Sequence, residues 1–326
     1  MNEISEPISL SEKALKAFKD DVLSGLKKEP KQLQSKYLYD AEGDELFRQI
    51  MHAPEYYLTD CEMEIFKDQC AEMAAPLKDF KEGFDLIELG AGDAAKSYYL
   101  LECLMAHGFD FTYYPIDIST NIINLLTEQL PGRLPGIRIQ GIQGDYFEAL
   151  KKAVAISSRS KLVMFLGGNI GNMPPEEALS FCIELRQNLA EGDMVLMGFD
   201  LKKDPWVIFN AYNDQGGITE KFNLNLLSRI NRELGADFDI NLFHHYENYD
   251  PETGACRSYL ISKVDQVVTI AEERISFREH EYIFTETSQK YAPDQLDVFA
   301  SGSGFVPLLR LKDPKGWFTD VIWRAV

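Results

Sequence analysis

The sequence predicts an α/β fold built on an open, mostly parallel sheet. Three observations carry that expectation. From residue 84 to residue 199, short apolar runs alternate with helical segments. Four strand–helix repeats followed by a fifth strand imply a parallel sheet covered on both faces. The first run, in Asp85-Leu86-Ile87-Glu88-Leu89-Gly90-Ala91-Gly92-Asp93, ends in a tight turn that glycine permits, with its backbone open to a ligand. Right-handed crossovers then bring the strand C-termini to one edge, where such sheets bind ligands.

The elements follow in order. Residues 11–28 read as an amphipathic helix with Leu15, Phe18, Val22 and Leu26 at helical spacing and Ser9 or Ser11 as cap. A second helix is predicted over 44–52. A third starts at Thr59, where Thr59-x-x-Glu62 has the form of a capping box, and runs to about Ala75. Strands are predicted over 84–89, 111–116, 137–142, 162–166 and 194–199, with helices over 94–106, 121–130, 147–155 and 175–189 between them. The alternation stops after Asp200. Helices over 205–212 and 219–234 lead into a mixed segment, and a turn at Asp250-Pro251-Glu252-Thr253-Gly254 precedes hairpin-like strands over 256–264 and 274–285. A helix over 288–301 and strands over 305–311 and 318–325 complete the sheet. The expected organisation is a sheet domain of residues 60–200 and 286–326. Residues 1–59 and 201–285 form a second, α+β domain from the N-terminal helices and the insertion after the fifth strand.

Composition narrows the partners. The 326 residues are 45% hydrophobic and 26% charged, as in an ordinary soluble protein, and the net charge is −19. That charge argues against nucleic acid and anionic membrane as partners. Five scattered cysteines without a Cys-x-x-Cys pair fit free thiols in a reducing cytoplasm. The five histidines show no metal spacing, and adjacent His244 and His245 point in different directions, so no metal is expected. No run is apolar enough to span a bilayer, and the N-terminus is too polar for a signal peptide.

Acids at successive strand tips suggest a nucleoside ligand. Asp117 ends the second strand, where a carboxylate accepts from ribose hydroxyls. Asp145, followed by the aromatic Tyr146, is placed to accept from an adenine amino group, and Glu88 precedes the glycines. Each acid alone is as readily a solvated residue or a helix cap. Gly90-x-Gly92-x-x-Ala95 also matches the dinucleotide fingerprint, which keeps a nicotinamide oxidoreductase open. A pyrophosphate avoids other anions, however, and Glu88 and Asp93 flank this loop. The cationic S-adenosylmethionine (SAM) suits it better, with Lys96 available to its carboxylate.

Several strings match a known family. They include Tyr37-Leu38-Tyr39-Asp40-Ala41-Glu42-Gly43, Pro54-Glu55-Tyr56-Tyr57, Phe165-Leu166-Gly167-Gly168-Asn169-Ile170-Gly171-Asn172, Asn231-Arg232-Glu233-Leu234 and Thr285-Glu286-Thr287-Ser288-Gln289-Lys290-Tyr291. With these the chain resembles, nearly end to end, the bacterial histidine Nα-methyltransferases of ergothioneine biosynthesis. Those enzymes use SAM to trimethylate the histidine α-amine, giving hercynine, and relatives act on a dimethylallyltryptophan. The resemblance implies a Rossmann-like class I methyltransferase sheet and a second domain for the substrate. It implies that Asn172 and Tyr212 hold the amino acid's α-carboxylate, and that Glu286 and Ser288 hold the imidazole. Tyr56 lies nearby and Tyr39 lines the site, with Tyr39 and Asn172 the groups nearest the chemistry; the doublet leaves Tyr56 or Tyr57 open. Glu88, Gly90, Gly92, Lys96, Asp117, Asp145 and Tyr146 are the residues expected to bind the cofactor.

Plainer roles stand beside these. Asn172, read as ending a strand, would cap the helix begun by Pro174-Pro175, Tyr212 would be core, and Ser288 would be an N-cap. If Glu286 and Ser288 lie on one strand, two residues apart, they share a face, as a two-point grip on one ring requires. The expected reaction is in-line transfer to a neutral amine, with positioning supplying most of the rate. Three alternatives remain: methylation of another amino acid such as a tryptophan derivative, a nicotinamide oxidoreductase, and a SAM-binding protein without turnover. A cytoplasmic monomer acting on a small amino acid is expected.

Overall fold

The computed structural model describes residues 12–326, which leaves Ser9 and Ser11 outside the described residues. The chain forms two compact units. One comprises the chain up to Tyr56 together with Asp204–Thr287, and the other Tyr57–Lys203 with Ser288–Val326.

The second unit is organised by a seven-stranded sheet. Its strands are β1 (Phe84–Leu89), β2 (Phe111–Asp117), β3 (Ile142–Gln143), β4 (Ser160–Phe165), β5 (Met194–Asp200), β6 (Phe305–Lys312) and β7 (Phe318–Ala325). Their order is β6-β7-β5-β4-β1-β2-β3. Neighbours from β5 to β3 are parallel, while β7 runs antiparallel to both β5 and β6. The strand order reverses between β1 and β4, so a crevice opens beyond their C-terminal ends. Every residue of β1 and β5 is buried, as strands covered on both faces require. Ile87, Leu89, Val163, Phe165, Val195 and Met197 form one side of the core with Ala149, Leu150 and Leu185 from the covering helices. Each such side chain contributes roughly 1.5–3 kcal/mol on burial.

Several sequence expectations change here. The helix after β1 spans Ser97–Ala106 and does not begin near Asp93. Asp93 Oδ1 accepts the Ala95 N–H at 3.0 Å, and Ala94 takes φ 53°, so the first turn is not helical. The edge strand expected over 137–142 shrinks to Ile142–Gln143 plus one bridge at Ile139. A Cβ at Gly141 would meet Ile123 at 2.4 Å, so the chain runs close against helix Thr120–Arg133 just before this strand. The third helix starts at Tyr57 rather than at a Thr59 cap, and it ends at Asp68 before a short helix, Cys70–Ala74. The helix expected over 288–301 is Pro293–Gly302, its Ala292 N–H bonded to Gln295 Oε1 at 2.7 Å. Ser288 therefore is not an N-cap. It lies in the strand Tyr282–Gln289.

In the first unit, Lys31–Gln32, Tyr282–Gln289, Ala255–Ser262 and Phe243–Tyr249 make a four-stranded sheet in that order. The single strand expected over 274–285 is broken. Glu273–Phe277 pairs instead with Gln266–Ile270, because a turn at Arg278–Glu281 places His280 at φ 68°. Helix Ile218–Leu234 organises this unit and is capped by Asp214, which accepts the Ile218 and Thr219 N–H groups at 2.8 Å. Arg229 of this helix donates to the Tyr37 and Tyr39 carbonyls, and Asn225 donates to Asp40 at 2.8 Å. Asp40 also caps helix Ala41–Met51 and pairs with Arg232. The strings around Asp40 and Arg232 thus hold the segment that carries Tyr39.

Candidate active site

The loop leaving β1 is held by its neighbour. Gly90 and Ala91 donate to the Ile116 carbonyl at 2.8 and 3.0 Å, which ties the loop to the tip of β2. Gly90 and Gly92 take φ 71° and 52°, conformations that glycine adopts at least cost. A Cβ at Gly90 would lie 3.1 Å from the Tyr146 hydroxyl, whereas one at Gly92 would meet nothing within 4 Å. The loop backbone is therefore open on one side and walled by Tyr146 on the other. Burial pushes the Tyr146 phenol up to about 12, so it acts as a neutral wall. Its ring packs edge-on to Phe165 at 5.5 Å.

Asp117 ties the crevice together. One carboxylate oxygen accepts the Gly92 N–H at 3.2 Å and the other the Ser119 N–H at 2.9 Å. An ionised carboxylate has about four acceptor positions, so two remain for a ligand. Asp145 caps helix Tyr146–Ala155 through the Phe147 N–H at 3.2 Å. Glu88 is 4% exposed and accepts from the Tyr113 hydroxyl at 2.5 Å. Burial pushes its carboxyl up to about 7. Near neutral pH it holds only part of the negative charge that the sequence argument assigned to it.

Lys96 has a partner that the sequence did not reveal. Its ammonium is paired with Glu62, whose two carboxylate oxygens also accept the Gly167 N–H at 2.8 and 3.0 Å. Glu62 is fully buried, so it performs no capping at Thr59. Burial works against the Lys96 charge, and Glu62 more than offsets it, leaving the ammonium above its usual range. Asp320 of β7 is buried beside this pair, with neither carboxylate oxygen hydrogen-bonded. Burial and the neighbouring Glu62 hold its carboxyl well above the usual range.

Further along the same edge, Gly167 and Gly168 lead into a 3-10 turn, Asn169–Asn172. Asn172 is exposed and belongs to this turn, neither ending a strand nor capping a helix. A Cβ on Gly171 would lie 2.7 Å from the Gln289 carbonyl oxygen, so the turn presses directly on the chain next to Ser288. Asn172 and Ser288 are thereby brought to one region of this unit. The Ser288 hydroxyl is bonded by Lys290 at 2.7 Å.

In the first unit, Tyr39, Tyr56 and Tyr212 meet in one aromatic cluster. Phe47 lies 5.5 Å from Tyr39 and 6.3 Å from Tyr56, and Tyr56 lies 6.0 Å from Tyr212. Tyr39 is 37% exposed and Tyr56 is buried. The two tyrosines of the doublet differ in their contacts: the Tyr57 hydroxyl is 2.8 Å from Asp200, and Lys203 lies over its ring at 4.0 Å. Glu286 stands on the strand Tyr282–Gln289, where Ile283 and Thr285 are buried on the opposite face. The pairing of Glu62 with Lys96, the burial of Asp320 and the contact between Asp200 and Lys290 were not legible in the sequence. Among the described residues no group of His, Cys, Asp and Glu stands where it would hold a metal ion.

The sheet order with one antiparallel strand, the open glycine loop and the acid at the tip of β2 define a Rossmann-like class I methyltransferase. The surroundings of the loop fit SAM: its backbone is open, its nearby side chains are acidic, and its one lysine sits beside a carboxylate. The model of histidine-specific, SAM-dependent methyltransferases matches residues 18–325, and the chain belongs to that family. It is 34% identical over 311 residues to the histidine N-alpha-methyltransferase of Mycolicibacterium smegmatis, covering 94% of this chain and 95% of that one. Ergothioneine biosynthesis protein 1 of Neurospora crassa is 32% identical over 281 residues, 84% of this chain and 31% of that longer protein. A 4-dimethylallyltryptophan N-methyltransferase of Claviceps fusiformis is 28% identical over 218 residues, 64% of this chain and 60% of that one.

Proposed function

We propose that this chain methylates the α-amino group of L-histidine with SAM, in three successive transfers that yield trimethylhistidine. The observation that carries this is the 34% identity to a histidine N-alpha-methyltransferase over almost the whole of both chains. SAM, when bound, supplies an electrophilic methyl group. Gly90, Gly92, Lys96, Asp117, Asp145, Tyr146 and Glu88 are the residues we assign to holding it. Asp117 has acceptor positions for ribose hydroxyls, and Lys96 is a cation for a carboxylate.

For the amino acid, Asn172 and Tyr212 bind the α-carboxylate, and Tyr56 walls the site. Glu286 accepts a ring N–H, and Ser288 completes the grip on the imidazole. The amine needs a free electron pair, and Tyr39, partly exposed, passes its proton to water. Orientation by these side chains supplies most of the rate. We place the enzyme in the cytoplasm as a monomer that binds neither nucleic acid nor membrane, in keeping with its −19 charge. Among the described residues, no helix is long and apolar enough to cross a membrane.

The deciding experiment incubates histidine, tryptophan and dimethylallyltryptophan separately with the protein and methyl-labelled SAM, and reads the products by mass spectrometry. Histidine should gain up to three labels at its α-nitrogen. Labelling of an indole amino acid in its place refutes the assignment.

A further inference from the structure

We propose that Asp320 is a positioning residue for the cofactor site. As a neutral acid it donates to Glu62, which in turn holds the Lys96 ammonium from its buried side and leaves the outer side to the cofactor's carboxylate. This inference rests on the reading that Lys96 meets the SAM carboxylate, and all of its residues belong to the second unit.

The sheet brings the two acids together. Asp320 of β7 lies directly opposite Gly198 of β5, so side chains at these positions project to one face. Gly198 has no side chain, and a Cβ there would collide with Glu62 Oε1 and meet Phe318 at 3.0 Å. The carboxyl of Glu62, which comes from helix Tyr57–Asp68, therefore occupies the place of a Gly198 side chain. The Cβ positions of opposed residues stand about 4.5–5.5 Å apart, a spacing at which their side chains touch. Glu62 and Asp320 are thus neighbours on that face.

Donors reach only one of them. Both Glu62 oxygens accept the Gly167 N–H, at 2.8 and 3.0 Å, and Oε2 also accepts from Lys96. Asp320 is 1% exposed, and no donor reaches either of its oxygens. An ionised carboxylate in that place would have neither water nor a hydrogen bond. A carboxyl that keeps its proton avoids this cost and becomes a donor, and the acceptor beside it is Glu62. Burial and the Glu62 charge both favour the neutral form.

The arrangement has a closed end and an open end. The Glu62 side chain is 1% exposed and that of Lys96 is 23% exposed. A Cβ at Gly167 would lie 3.3 Å from Lys96 Nζ. Gly167 follows β4 and Lys96 follows the loop after β1, so the ammonium stands between the two strand tips where the crevice opens. A lysine stem is flexible and its three donors rotate, so the residue has no fixed direction of its own. Glu62 supplies one by holding the ammonium from the buried side. An ionised Asp320 would set two negative charges against one ammonium and repel an incoming carboxylate. A neutral Asp320 orients Glu62 and adds no charge.

The test compares S-adenosylhomocysteine with S-adenosyl-3-thiopropylamine, which lacks only the carboxylate. Binding to the full-length protein is measured by calorimetry. Wild type should prefer the carboxylate-bearing compound about 10- to 100-fold, the range of one charge-assisted bond. Asp320→Leu, close in volume but without a donor, should lower that ratio about 3- to 10-fold. Asp320→Asn, a neutral donor of the same shape, should retain it. A ratio unchanged in Asp320→Leu overturns the proposal, as does a ratio lost equally in Asp320→Asn. A purely structural role for Asp320 would weaken both compounds alike and leave the ratio intact. If Asp320→Leu does not fold, infrared spectra of wild type and Asp320→Asn at pH 8 decide. Wild type should show a protonated-carboxyl band that the variant lacks and that S-adenosylhomocysteine shifts. A missing band, or one that the ligand leaves unmoved, overturns the proposal. Equal binding of the two compounds by wild type refutes the reading of Lys96 and the proposal with it, a result distinct from a ratio that Asp320→Leu leaves intact.

Discussion

Replacing Glu88 by glutamine removes an ionisable group from the middle of the sheet and keeps an acceptor for the Tyr113 hydroxyl, which lies 2.5 Å from Glu88 Oε2. Burial pushes the Glu88 carboxyl from its ordinary 4.5 to about 7, against the opposing pull of Tyr113 and Lys96. In the unfolded chain it titrates near its ordinary value. Between those two values the native protein holds a proton that the unfolded chain has released, so stability falls as pH rises through the window. The gap from 4.5 to about 7, at 1.36 kcal/mol per pH unit, amounts to about 3 kcal/mol. The contribution is fully present below 4.5 and lost above about 7. Glutamine does not titrate. The stability of Glu88→Gln relative to wild type should therefore rise by about 3 kcal/mol from the acid end of the window to pH 8. Urea unfolding of both proteins at pH 5, 6, 7 and 8 measures it, and the difference cancels the other acidic residues. A difference that does not change with pH, or a variant that gains on acidification, refutes the argument.

Other predictions address the site. Glu286→Ala should lower histidine affinity about 10- to 100-fold, the loss of one charge-assisted bond, and leave SAM affinity unchanged in calorimetry. Glu62→Ala strands the Lys96 ammonium and the Gly167 N–H in a buried region, and should cost about 3–5 kcal/mol in urea unfolding. Glu62→Gln keeps an acceptor for Gly167 and should cost less. Gly171→Ala places a Cβ 2.7 Å from the Gln289 carbonyl oxygen. It should shift the turn that carries Asn172 and raise KM for the amino acid more than KM for SAM in steady-state kinetics.

Features set by short stretches of chain were legible before the structure. β1 and β7 appear with the expected ends, because an apolar run flanked by turn residues needs no information from elsewhere. The glycine loop was legible for the same reason, since two positive-φ turns demand glycine locally. Where a local pattern offered its own explanation, it misled. Thr59-x-x-Glu62 looked like a capping box, yet Glu62 turns to Lys96 and Gly167, which lie far along the chain. Ser288 looked like a helix cap, yet the strand Tyr282–Gln289 extends through it. Nothing in the Tyr56-Tyr57 doublet showed that the second ring would lie against Asp200 and Lys203.

By itself the sequence determined the alternation of strands and helices, the open loop after β1 and the acids at the strand tips. Each depends on neighbours within a few residues, where periodicity and backbone conformation are encoded. Only the tertiary structure decided the charge states and partners of the buried groups. It set Glu88 near neutrality, joined Glu62 to Lys96, left Asp320 without a donor, and put Lys290 between Asp200 and Ser288. Desolvation and pairing depend on what surrounds a side chain in space, and the partners lie well beyond the local window, 34 positions away for Lys96 and Glu62 and 105 for Gly167 and Glu62.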